Sequence, residues 1–298
     1  LILIDGYRFQ PPTRIEIKIY EEAAELYNNL SRENIDFINT TNIYYENYIG
    51  LIGFNSRRAP GREFDYLAIN TSHRLLSNQE LRRALNYAID KESLVHNVFK
   101  NNYIVSSFPL AYGSYLYNSE DIENDHNINK ARRILEDNGW SNGLEFELLV
   151  NENDIYRIYI AELIKMQLQE VGITINVRRV DDYTFERYLE YKNYEMLLTG
   201  SILPLYPDLN SFFGEGNIFN YYNEEVIDLL ISINSIKDPN ILKEKYGRII
   251  EIYNEEMPFI SLYFNANIII SNNSLRGNIV HNWHNILYNI HTWHIVHN

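Results

Sequence analysis

Two groups of side chains have the residue types and spacing to hold a ligand. The first lies in Ser201–Phe213, SILPLYPDLNSFF. There Tyr206 can stack on a bound group or hydrogen-bond it, Asp208 can pair with an amine or another cation, and Phe212 and Phe213 can form an apolar wall. Core packing is the competing use for at least one of these phenylalanines, and the whole run can also be read as a structural loop. The second group is five histidines near the C-terminus, His281, His284, His291, His294 and His297. Neutral imidazole ligates Zn, Ni or Cu, and a spacing of three places rings on one face of a helix. No carboxylate follows His281 in the arrangement of a zincin, however.

For covalent or redox chemistry the chain offers no motif. It has no G-x-S-x-G elbow, no P-loop and no glycine-rich dinucleotide fingerprint. With 40 Asp and Glu residues, a chance pair of carboxylates means little. Cysteine is absent, which rules out disulfides and thiolate metal sites. A net charge of −14 without a basic patch argues against a nucleic-acid partner. No apolar run approaches the length of a membrane span. The composition, 45% hydrophobic and 22% charged over 298 residues, is ordinary for a globular chain of one or two domains. No basic-then-apolar leader opens the chain. The start on Leu1, with the apolar Leu1–Ile4 behind it, is expected to reflect an N-terminus that has been removed.

The elements that must position the candidate residues follow from periodicity and punctuation. Arg14–Tyr20 alternates strictly, with Ile15, Ile17 and Ile19 on one face, and predicts a half-buried strand. A helix is expected over Glu21–Leu30 and a short strand over Ile35–Ile38. Mixed signals then end at the turn-like Ala59-Pro60-Gly61, and Phe64–Asn70 reads as a strand. Ser77-Asn-Gln-Glu80 has the form of a capping box. Behind it Leu81, Ala84, Leu85, Ala88 and Ile89 make an amphipathic helical stripe. Asp90 can cap a second helix, Lys91–Phe99, and residues 101–128 read as a loop. From 129 to 200 helices and strands alternate: helices 129–138, 155–171 and 182–191, strands 144–150, 173–180 and 194–198. Gly139 and Gly172 stand where helices should stop. Such alternation argues for an α/β layer built on crossovers, and it places Ser201–Phe213 after the C-terminal end of a strand, where such sheets bind ligands. Two further helices, 224–234 and 240–255, and two strands, 259–264 and 267–270, complete the reading.

Several segments, in order along the chain, resemble the bacterial extracellular solute-binding proteins of family 5, the oligopeptide, dipeptide and nickel binders. They are Tyr66-Leu-Ala-Ile-Asn70 with Leu81-Arg-Arg-Ala-Leu-Asn-Tyr-Ala-Ile-Asp90, then Lys130–Gly139, Met166–Ile173, Thr199–Phe213 and Met257–Tyr263. The segment RRALNYAID is the most specific of them. Arg14–Ile38 is similar to a part of the family that lies well inside the first lobe, with roughly a further 200 residues ahead of it in family members, a multi-domain length.

The resemblance implies an α/β fold of the type II periplasmic-binding-protein kind. One complete lobe (72–264), part of a second (1–71 and 265–298) and two hinge crossings near Asn70–Ser72 and Phe264–Ala266 are expected, a layout suited to hinge closure. Asn70 and Tyr263, at those crossings, become candidate ligand contacts, although Asn70 can equally satisfy backbone groups at a strand end. Relatives that bind peptides hold the ligand's α-amine with an acid early in the 201–213 loop. Ser201, Ile202, Leu203 and Pro204 stand near that position here, so either Asp208 substitutes or the ligand is not held by a free amine. The family's extended tail puts histidines spaced by three on opposite faces, so no metal and no cofactor are expected. The implied function is solute capture for an ABC importer, not catalysis, with a peptide or small polar solute and a membrane permease as partners and a monomeric state. The implied place is outside the membrane, lipid-anchored at the cell surface in the full-length parent or free in the periplasm. The alternative is the solute-sensing domain of a transcription regulator with the same fold.

Overall fold

The computed structural model describes residues 12, 14–41, 45, 53–100, 102–116, 126–140, 143–280, 285 and 287–296. In chain order its elements begin with α1 (Ala23–Ser31), β1 (Phe37–Thr40), β2 (Phe54–Ile69), α2 (Gln79–Ala88), α3 (Lys91–Phe99) and β3 (Ile104–Val105). There follow α4 (Ile128–Asp137), β4 (Leu144–Asn151), α5 (Ile155–Gln169), β5 (Ile173–Val180), α6 (Asp182–Tyr191) and β6 (Met196–Ile202). The last are α7 (Asn210–Phe213), α8 (Glu224–Ile233), α9 (Pro239–Glu256), β7 (Phe259–Asn272), β8 (Leu275–Arg276) and β9 (His294–Ile295).

Most of these helices start on an Asn or Asp whose side chain accepts a backbone N–H of the first turn. Asp90, Asn127, Asp154, Asp181 and Asn223 do so for α3, α4, α5, α6 and α8, and each such cap stabilises its helix by about 1 kcal/mol. The capping box expected on Ser77 is not formed. Asn78 caps α2 by accepting from the Glu80 N–H at 2.8 Å, while the Ser77 hydroxyl donates to the Arg74 carbonyl. The amide oxygen of Asn78 reaches the second N–H of the helix, so it takes the position one residue later.

The chain divides into two compact units, Arg62–Phe264 and Leu1–Gly61 with Asn265–Asn298. They part at 61/62 and 264/265, where 71/72 and 264/265 were expected. No loop marks the outgoing boundary, because β2 runs unbroken through the Ala59-Pro60-Gly61 that reads as a turn. Its residues 63–69 pair with β6 and so join the larger unit. Likewise β7 is one strand of 14 residues, not two.

In the unit Arg62–Phe264, β2 lies antiparallel to β6, with Asp65 opposite Gly200 and Tyr66 opposite Thr199. β6 is parallel to β4, and β4 is parallel to β5. β3 pairs with the start of β7, Val105 opposite Tyr263. One core of this unit is aromatic: Phe64, Tyr66, Phe212, Phe219 and Phe259 meet ring to ring, with Phe219 stacked on Phe259 at 4.8 Å. Helices supply the rest through buried stripes such as Leu81, Ala84 and Leu85 of α2 and Ile160, Ile164 and Leu168 of α5. Full burial of one such aliphatic side chain contributes about 1.5–3 kcal/mol.

In the smaller unit β1 pairs with β7, Ile38 opposite Ile270. Alternation along β7 sends Ile268 and Ile270 into a cluster with Tyr27 and Leu30 of α1, and Ile269 into another with Leu275, Ile279 and Trp293. The strand expected over Arg14–Tyr20 is not formed. Those residues carry no regular structure, and Ile17 and Ile19 are 79% and 92% exposed. Alternation gives a segment one apolar edge, but a strand forms only where a neighbour accepts its backbone hydrogen bonds.

Candidate ligand-binding site

The C-terminal end of β6 carries the candidate loop. Ser201 and Ile202 are the last residues of that strand, so the loop begins at Leu203. The Ser201 hydroxyl meets the Tyr66 hydroxyl at 3.1 Å beneath the sheet surface, and burial pushes the Tyr66 phenol above its ordinary value. Leu203 is buried and pinned twice, its N–H to the Arg62 carbonyl at 2.9 Å and its carbonyl to the Arg62 Nε at 2.8 Å. On this anchored base Ile202, Leu205 and Tyr206 stand 66%, 60% and 65% exposed. Three large apolar side chains held out to solvent on a fixed backbone form a surface that can stack on and desolvate a partner.

Asp208 sits behind them. Its Oδ1 accepts from the Asn210 N–H and side-chain amide at 2.9 and 2.6 Å, and its Oδ2 accepts from the Tyr206 hydroxyl at 3.3 Å. The Pro207 carbonyl accepts from the Tyr246 hydroxyl, whose pKa burial and the neighbouring Asp208 push up to about 12. Asp208 thus shapes the loop and orients Tyr206, with lone pairs left for a cation.

The remaining expected contacts are placed elsewhere. Phe212 is 1% exposed and belongs to the aromatic core, as does its neighbour Phe213. Asn70 spends its side chain within the scaffold: its amide donates to the Lys192 and Tyr194 carbonyls, and its oxygen accepts from the Ser72 N–H and the Asn220 side-chain amide. Tyr263 is buried edge-on against the stacked pair Phe99 and Tyr103, at ring distances of 5.0 and 5.6 Å. Of the histidines, His294 lies in β9 opposite Arg276 and His291 in a single 3-10 turn, while His281, His284 and His297, like Leu1–Ile4, fall outside the described residues. Among the described residues no group of three His, Cys, Asp or Glu side chains is placed to hold a metal.

One polar cluster beside β6 escaped the sequence reading. Asp65 on β2 accepts from Arg157 of α5 at 3.0 Å (Nε) and 2.9 Å (Nη2), a bidentate pair, and Arg157 also reaches Asp154 at 3.2 Å. Burial works against the Arg157 charge, yet the hydrogen bonds and charge of Asp65 outweigh it and hold the guanidinium above its usual range. Space for the pair exists because residue 200 is glycine: a Cβ there would stand 2.1 Å from Asp65 Oδ1 and 2.6 Å from Arg157 Nη2. The Tyr263 hydroxyl is buried beside the same carboxylate without a hydrogen bond of good geometry, and burial first, then the Asp65 charge, raise its pKa well above the ordinary value. The only sequence signal was an acid inside the apolar strand FDYLAIN.

The model of the bacterial extracellular solute-binding proteins, family 5 (middle region), matches residues 7–218. The chain belongs to this family. It is 24% identical over 94% of its length to the oligopeptide-binding protein AppA of Bacillus subtilis, covering 55% of that protein. It is also 24% identical, over 73% of its length, to the peptide transport periplasmic protein SapA of Haemophilus influenzae, covering 41% of it. The chain therefore spans about half the length of the curated relatives it matches. Among solved structures, HbpA2 from Haemophilus parasuis superposes with a TM-score of 0.82 at 22% identity, over 93% of this chain and 57% of that one. The Bacillus subtilis AppA complex with a nonapeptide gives 0.69 at 22%, over 94% and 60%. These likenesses establish the fold as that of the periplasmic binding proteins. The family places solute binding outside the cytoplasm, and no described helix is long and apolar enough to cross a membrane.

Proposed function

We propose that this family 5 chain captures a peptide or a similar small polar solute outside the membrane and serves the permease of an ABC importer. The observation that carries the reading is the exposed set Ile202, Leu205 and Tyr206, held on a backbone locked to Arg62 at the end of β6. Relatives named for oligopeptide binding and peptide transport support the solute class. Micromolar capture asks for about −8 kcal/mol, which apolar burial and a few polar contacts provide. The acid that would hold a free α-amine early in the loop is replaced by Ser201–Pro204, so Tyr206 and Asp208 take over recognition. The role is binding alone, with no bond made or broken. The larger compact unit is read as a whole lobe and the smaller as part of another, and lipid anchoring at the cell surface belongs to the same proposal.

A pool of short peptides, incubated with the chain and read by native mass spectrometry, tests it. Tyr206→Ala and Ile202→Ser should each weaken the captured peptide about tenfold without moving the unfolding midpoint. Unchanged affinity in both variants removes the loop from the site, and failure of the pool to yield any bound peptide removes the peptide class.

A further inference from the structure

The smaller unit holds a cavity that solute capture at the β6 loop does not use. Its volume is about 180 Å³, room for about six waters at ~30 Å³ each. Sheet forms its floor: Asn55 and Arg57 are two apart on β2, and Ile269 and Ser271 are two apart on β7, so each pair shares one strand face. Arg276 of β8 and Gly277 after it close the far side. The Arg57 guanidinium is steadied by donating to the Ile279 carbonyl at 2.8 Å, and that bond leaves most of its N–H groups for another partner.

The lining is electrostatically one-sided. It contains two guanidiniums, a side-chain amide and a hydroxyl, but no carboxylate. Neither Arg57 nor Arg276 is paired with an acid among the described residues. That is a local inversion in a chain of net charge −14, and a walled concavity of one sign concentrates counter-ions. The Ser271 hydroxyl, in a residue 2% exposed, supplies a donor at the floor.

We infer that this cavity binds a small oxyanion, phosphate or carboxylate, between Arg57 and Arg276, with Ser271 and Asn55 as further hydrogen-bond donors. Guanidinium forks match the oxygen spacing of both anions and bind them by paired, charge-assisted hydrogen bonds. A site of this size admits inorganic phosphate or a short carboxylate and excludes a peptide.

Titration of the 298-residue chain with inorganic phosphate, with succinate and with chloride, followed by backbone amide shifts of Ser271 and Gly277, tests the inference. A saturable shift with phosphate or succinate and none with chloride is expected, with a Kd of about 1 mM or tighter. Arg276→Met alters an exposed side chain and should weaken binding at least about tenfold, and Arg57→Met should do the same. The anion that saturates identifies the oxyanion. Absence of saturation with both, or saturation unaltered by Arg276→Met in a folded protein, overturns the site.

Discussion

Arg82 is the residue whose removal this structure prices most clearly in stability. It is 4% exposed, on α2, and its guanidinium bonds four carbonyls. Nη1 donates to Leu76 and Ser77 at 2.8 and 2.9 Å, Nε to Glu256 and Met257 at 2.9 and 3.0 Å, and Nη2 again to Glu256. The last two carbonyls end α9, where the helix leaves acceptors without intrahelical donors and a partial negative charge. Burial opposes the arrangement, lowering the Arg82 pKa from 12.5 to about 10. That difference corresponds to a penalty of about 3 kcal/mol at 1.36 per unit. The single Nε hydrogen is shared between Glu256 and Met257, so four N–H donors at a low ~1.5 kcal/mol each give about 6, and the net is about 3 kcal/mol in favour of the arginine. Arg82→Met keeps the stem and strands the carbonyls. Unfolding of a unit of this size should then shift by about 6–12 °C. Circular dichroism melts and urea titrations of Arg82→Met beside Arg83→Met, which alters a half-exposed neighbour, measure the difference. A loss under 1 kcal/mol for Arg82→Met, or equal losses for both, refutes the reasoning.

Three further outcomes follow from the same geometry. Gly200→Ala drives a methyl into the Asp65–Arg157 pair and should cost about 1–3 kcal/mol, as should Asp65→Asn, which leaves the half-buried guanidinium with Asp154 as its remaining carboxylate; if the double variant costs as much as the two losses summed, the shared cause is wrong. Lys91 is buried, and desolvation holds its ammonium down at about 7 against 10.5 when unfolded. Between those values the unfolded state binds more protons, so stability should rise with pH by up to about 1.4 kcal/mol per unit. The advantage of Lys91→Met over the parent should accordingly shrink from pH 6 to pH 9 in urea titrations, and a constant difference would contradict this. Ile19→Lys alters a side chain 92% exposed and should leave the unfolding midpoint within about 0.5 kcal/mol of the parent; a larger loss would mean that Arg14–Tyr20 packs somewhere.

The family motif RRALNYAID shows how far local pattern reaches. Its apolar stripe, the Asp90 cap and the helix beyond it were legible because each depends on residues within a turn or two. The same holds for α4, β4, α5, β5 and α6, whose boundaries lie within a residue or two of those read from periodicity. What Arg82 does was not legible, since its partners on α9 are 174 and 175 residues away. The Asp65–Arg157 pair spans 92 residues and was missed for the same reason.

Composition, periodicity and end signals in the sequence by themselves determined the α/β class, nearly every helix and the loop at the end of β6, because hydrophobic spacing and helix capping act over a few residues. Only the tertiary structure decided that Ala59-Pro60-Gly61 continues a strand, that Arg14–Tyr20 does not form one, and that Phe212, Asn70 and Tyr263 are built into the scaffold while Ile202 and Tyr206 face solvent. Those outcomes depend on which distant backbone or ring arrives alongside, and a strand or a buried hydroxyl has no preference of its own until that neighbour is in place.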